Sequence, residues 1–139
     1  MKIRKSWGYV YAALAGLCDA GTGALLVFAP LLALRMMRID APPADLTHVR
    51  FVGAFVGAVG CSYLVPLLFT RGARRDLLLR GMLLTTTLIR LSVAAYSGYA
   101  VAAGLLETAW VSVPISDLAF AVIQIALLRQ GVFASGYDA

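Results

Sequence analysis

Three ionisable residues, Asp19, Arg90 and Asp117, stand in stretches otherwise dominated by apolar and small residues: "GLCDAGTGALL", "TTTLIRLSVAAYSGYAVAAGLL" and "SVPISDLAFAVIQIALL". A guanidinium cannot shed its charge by losing a proton, so Arg90 needs acceptors wherever it is buried. Arg90 lies ten residues past Arg80, which is roughly 15 Å along a helix. Asp19 lies fourteen residues past Lys5 and Asp117 twelve before Arg129, or roughly 18–21 Å from those flanking charges. The three depths overlap, so an Asp19–Arg90–Asp117 cluster joining three helices is expected. Fully ionised, it would carry a net negative charge that a proton, a water, a lipid headgroup or a ligand would offset. Structural cementing, ligand or proton handling, and independent snorkelling are the competing chemistries. Thr85, Thr86, Thr87, Ser92, Tyr96 and Gln124 offer further hydrogen-bonding groups nearby in sequence.

The elements that position these residues follow from composition. The chain has 139 residues, 61% of them hydrophobic, and a mean hydropathy of +0.86. Only 14% are charged, against roughly 25% in soluble domains. Four segments, about 7–34, 51–70, 82–104 and 109–128, approach or exceed the roughly 20 residues that a helix needs to cross a bilayer. Open strands would leave unpaired backbone groups in hydrocarbon, and the alternation of a barrel is missing. The expectation is an all-α, integral membrane four-helix bundle forming one domain over 1–139. The apolar run after the basic start is too long for a signal-peptide core, so the first segment reads as a retained helix.

The net charge of +5 is unevenly spread. Lys2, Arg4, Lys5, Arg71, Arg74, Arg75, Arg80 and Arg129 fall on one side of a four-crossing chain, and only Arg35, Arg38 and Arg50 on the other. The positive-inside rule then makes both termini cytoplasmic. The stretch "TRGARRDLLLRG" reads as a short basic cytoplasmic loop, with Arg71, Arg74, Arg75 and Arg80 available to anionic lipids or an acidic partner. No recognition helix or aromatic-basic module accompanies it, so nucleic acid is not an expected partner.

Small residues mark the expected packing faces. Gly16 on the first helix and Gly53, Gly57 and Gly60 on the second allow close backbone approach. Pro30 is expected to kink the first helix, and Pro42–Pro43 to prevent its simple continuation. Cys18 and Cys61 read as reduced packing residues. His48 is the sole histidine, without a metal-ligand cluster around it. No phosphate loop, nucleophile elbow, zinc signature or dinucleotide fingerprint is present, so no catalytic residue is assigned. No cofactor is required, although glycine-rich faces could accept lipid, quinone or pigment, lined by Tyr63, Tyr96 or Trp110.

The stretches "GLCDAGTGALLVFAPLLAL", "RFVGAFVGAVGCSYLVPLL" and "DLAFAVIQIALL" together resemble the small four-helix DoxX-like bacterial membrane proteins. The resemblance covers the whole four-helix plan and carries no numbered catalytic residue. It implies association with an electron-transfer complex, since some members accompany respiratory or sulfur-redox assemblies. The leading functional expectation is a noncatalytic accessory or assembly subunit in the bacterial cytoplasmic membrane, partnered by other integral membrane subunits or by copies of itself. The alternatives are a small proton-coupled transporter using Asp19, Arg90 and Asp117, and a quinone- or pigment-binding subunit.

Overall fold

The computed structural model describes residues 2–39 and 45–134, with side chains from Lys5 onward. Five α-helices make up most of it: α1 (Lys2–Phe28), α2 (Pro30–Met36), α3 (Thr47–Phe69), α4 (Gly72–Ala102) and α5 (Ser112–Arg129), the last preceded by a 3-10 turn at Thr108–Val111. Four stretches are long and apolar enough to cross a membrane: Lys5–Phe28, Thr47–Phe69, Gly72–Ala102 and Thr108–Arg129. Pro42–Pro43 lies outside the described residues.

The first expected span is divided. Ala29 leaves helical geometry, with φ −135° and ψ 57°, and Pro30 opens α2. A residue before proline is sterically pushed out of the helical region, and proline itself fits a first helical turn because no donor is needed there. The chain scarcely breaks, since Ala33 N–H still reaches the Ala29 carbonyl at 3.1 Å.

The third span begins at Gly72 rather than near residue 82. The expected basic loop is therefore mostly helix: Arg74, Arg75 and Arg80 lie on α4, and only Arg71 precedes it. Gly72, at φ +61°, takes the left-handed turn that a side chain would resist. The following "ARRDLLLR" is rich in good helix formers, so the helix starts at once.

Two closely packed pairs form the bundle, α1 with α3 and α4 with α5. In the first, Gly23 faces the Gly57 backbone and Gly60 faces the Ala20 backbone so closely that neither has room for a methyl group. A methyl on Gly53 would lie 2.6 Å from Leu26 Cβ, and one on Gly16 2.9 Å from the Leu64 side chain. As residue number rises on α1 it falls on α3, so the helices are antiparallel. Among apolar surroundings this fit supplies van der Waals contact rather than water exclusion, which is the main attraction available to helices in lipid. Gly21 faces open space.

Larger side chains join the pairs. One cluster holds Ala12, Ala15, Tyr63, Leu79, Leu83, Val132 and Phe133, while a second, at the other end, holds Leu26, Ala33, Leu34, Ile39 and Val49. Gly131, at φ +68°, ends α5 in a Schellman turn, with Val132 N–H on the Leu127 carbonyl at 3.1 Å. That turn folds Phe133 back onto Tyr9, ring centroids 5.1 Å apart. The described ends of the chain thus meet at one end of the bundle.

Candidate functional site

The buried seam of α4 contains Asp76, Leu79, Leu83, Thr86, Thr87, Arg90 and Ser97. Most of its steps are three or four residues, the spacing that lines up one helical face. Arg90 is placed by this seam between the two apolar clusters. On α1 the same logic follows Ala12, Ala15 and Asp19, and on α5 it links Asp117, Ala121 and Gln124.

Arg90 is 5% exposed and Asp19 8% exposed. The Arg90 Nη1 donates to Asp117 Oδ1 at 2.7 Å, and Nη2 donates to Asp19 Oδ2. One guanidinium therefore ties α1, α4 and α5 together. Its Cζ also lies 4.5 Å from the centroid of the Phe120 ring, whose electron-rich face favours a cation. The Nε remains buried without a hydrogen-bond partner among the described residues. A buried guanidinium cannot lose its charge, so the two carboxylates supply the acceptors it needs.

Beside the charges lies an uncharged polar network. Gln124, fully buried, donates through Nε2 to Tyr63 Oη, and its Oε1 accepts from Thr87 Oγ1 at 2.8 Å. Tyr63 also shares a hydrogen bond with Thr86. Thr86 and Thr87 reach back to the carbonyls of Met82 and Leu83, each at 2.6 Å. Thr86 thus donates to the local backbone while accepting from Tyr63, whereas the single Thr87 hydroxyl proton is shared between the Leu83 carbonyl and Gln124 Oε1.

A second ionic tie, missed by reasoning from sequence, joins α1 to α4 near the Phe133 end. Lys5 Nζ lies 2.9 Å from Asp76 Oδ2, Tyr9 donates to Asp76 Oδ1, and the Arg75 guanidinium stacks 4.2 Å from the Tyr9 ring centroid. The available signal was Asp76 itself, the single acid inside "ARRDLLLR".

Other anticipated residues are dispersed. Gly16, Gly53, Gly57 and Gly60 share the α1–α3 contact. Arg71 and Arg74 are exposed. Tyr63 is wholly interior and Tyr96 is exposed, while Trp110 packs at the opposite end beside the second apolar cluster, so these three do not line one surface. His48 is exposed at the start of α3. Cys18 and Cys61 are exposed rather than packed inside, because the glycine faces of α1 and α3 rotate them outward.

The chain matches no protein-family model, and no curated protein or solved structure matches it.

Proposed function

We propose that this protein is a noncatalytic integral subunit, an accessory or assembly component of a larger complex in the bacterial cytoplasmic membrane. The observation that carries this reading is Arg90: both of its terminal nitrogens are committed to Asp19 and Asp117 between helices. The interior charges hold the bundle together, while Phe28, Phe51, Phe69, Leu68 and Tyr96 present apolar or aromatic surface outward. Such a surface suits lipid and partner helices. The eight-to-three distribution of basic residues orients both termini to the cytoplasm and offers anionic lipids a basic face. The DoxX-like resemblance adds electron-transfer assemblies as the partner class.

Purification in mild detergent followed by mass measurement of the intact assembly tests this reading. A stoichiometric complex with other membrane subunits, or with copies of the chain, is expected. Recovery solely as a lipid-bound monomer across several mild conditions would overturn it.

A second reading is a small proton-coupled carrier, favoured by the two carboxylates that share one guanidinium. Flux in proteoliposomes that falls with Asp19→Asn and Asp117→Asn would support it, and flux unaffected by either would reject that use of the site. The quinone- or pigment-binding alternative lacks comparable support, because Tyr63 is interior and its hydroxyl is already engaged.

A further inference from the structure

The geometry points to a binding site for one exchangeable proton, shared by Asp19 and Asp117 across Arg90. The inference rests on the helices lying in a membrane and is independent of any partner complex. Its basis is charge balance in a largely interior site, with Arg90 and Asp19 buried and Asp117 half-buried. Arg90 bonds one oxygen of each carboxylate, and no other cation joins these contacts among the described residues. The titratable neighbours facing the cluster are Tyr11 on α1 and Tyr63 on α3, both within electrostatic reach of Arg90. Phenols are neutral near neutral pH and cannot offset a carboxylate.

Arg80, itself engaged, lies ten residues from Arg90, and the Lys5–Asp76 pair lies fourteen residues from Asp19 and Arg90 respectively. That separation is about 21 Å along either helix, and the Lys5–Asp76 pair has no net charge of its own. A fully ionised cluster would keep one uncompensated negative charge in low-dielectric surroundings, which desolvation disfavours. Arginine stays charged, so the balance is restored when a carboxylate takes a proton. The reaction is the reversible transfer of a proton from hydronium to one carboxylate oxygen, forming a carboxylic acid and releasing water. Asp19 and Asp117 also act on one another electrostatically, so the proton belongs to the pair rather than to either acid alone.

Infrared spectroscopy of the full chain in lipid nanodiscs reads this state through the carbonyl stretch of protonated carboxyl groups. One protonated carboxyl per chain is expected at neutral pH, shifting in deuterium oxide and disappearing as pH rises. Asp19→Asn and Asp117→Asn should each remove the signal, because the remaining carboxylate then balances Arg90 one to one. Asp76→Asn should leave it unchanged. If an Asn variant fails to fold, as judged by circular dichroism, the wild-type signal and its pH and deuterium dependence still decide. Absence of the signal in wild type at neutral pH, its failure to shift in deuterium oxide, or its persistence in both folded Asn variants would overturn the proposal. If the chain shows this signal yet is recovered solely as a lipid-bound monomer across several mild conditions, the subunit reading falls and the proton site stands.

Discussion

Asp19 and Arg90 are paired at a sequence separation of 71, the same separation that joins Lys5 to Asp76. Equal offsets at two positions mean that α1 and α4 run parallel, and fourteen residues between the ties are close to four helical turns on the same face. The charges alternate in sign: α1 supplies a cation and then an acid, and α4 an acid and then a cation. A slide by one turn would separate both pairs, so the pattern specifies register.

The Lys5 tie provides the gentler test of that role. Asp76→Lys should lower the unfolding temperature in mild detergent, since it opposes Lys5 with a like charge beside Arg75. Adding Lys5→Asp should recover much of the loss, and a double-mutant cycle measures the coupling. Additive single effects would show that the pair does not contribute to register.

Two glycines on α1 should respond in opposite ways to alanine. Gly23→Ala drives a methyl into the Gly57 backbone and should destabilise the α1–α3 pair by about 1–3 kcal/mol, the usual range for overpacking. Gly21→Ala meets open space and should be neutral or stabilising by up to about 1 kcal/mol through helix propensity. Unfolding in detergent for the two variants checks the contrast.

Arg38 ends α2 with φ +60°, and its Schellman turn is closed by Ile39 N–H on the Leu34 carbonyl at 3.0 Å. A left-handed conformation costs a non-glycine residue about 1 kcal/mol or more. Arg38 is exposed, so Arg38→Gly should relieve strain with little loss of contact. Increased hydrogen-exchange protection of the Ile39 amide is the expected readout.

Asp45 accepts from the Thr47 backbone N–H at 2.8 Å, and hydrogen bonding by the Thr47 side chain and backbone holds its carboxyl below the ordinary value. A depressed folded value means that the stabilisation is present above the unfolded value of roughly 3.9 and is lost as pH falls through the folded one. Protection of the Thr47 amide should decline over that acidic window. Asp45→Asn should abolish the dependence.

The depth of the central charges was legible in the sequence because helical rise converts spacing into height, which brought Asp19, Arg90 and Asp117 to one level. Whether they faced one another was not legible, since the azimuth of α1 depends on the rotation set by the Gly23–Gly57 and Gly60–Ala20 contacts, and those of α4 and α5 on their own packing. That same rotation turned Cys18 and Cys61 outward. Asp76 was obscured because its arginine-rich surroundings read as an interfacial turn, whereas Gly72 starts α4 early enough to carry Asp76 into the bundle. Pro30 signalled a kink, but the division into α1 and α2 came from the distorted backbone at Ala29.

The central claim is that Arg90 holds α1, α4 and α5 together through its two carboxylates, and matched charge removal tests it most directly. Folded fraction and unfolding temperature in mild detergent should be measured for Arg90→Leu, Arg90→Lys and the triple variant Arg90→Leu with Asp19→Asn and Asp117→Asn. Arg90→Leu should be the least stable, because it strands two acids. Arg90→Lys should be intermediate, because it keeps the charge but loses the planar fork. The triple variant should recover part of the loss, since removing both partners avoids unpaired buried charge. Equal folded fractions and unfolding temperatures for Arg90→Leu and wild type would contradict the account.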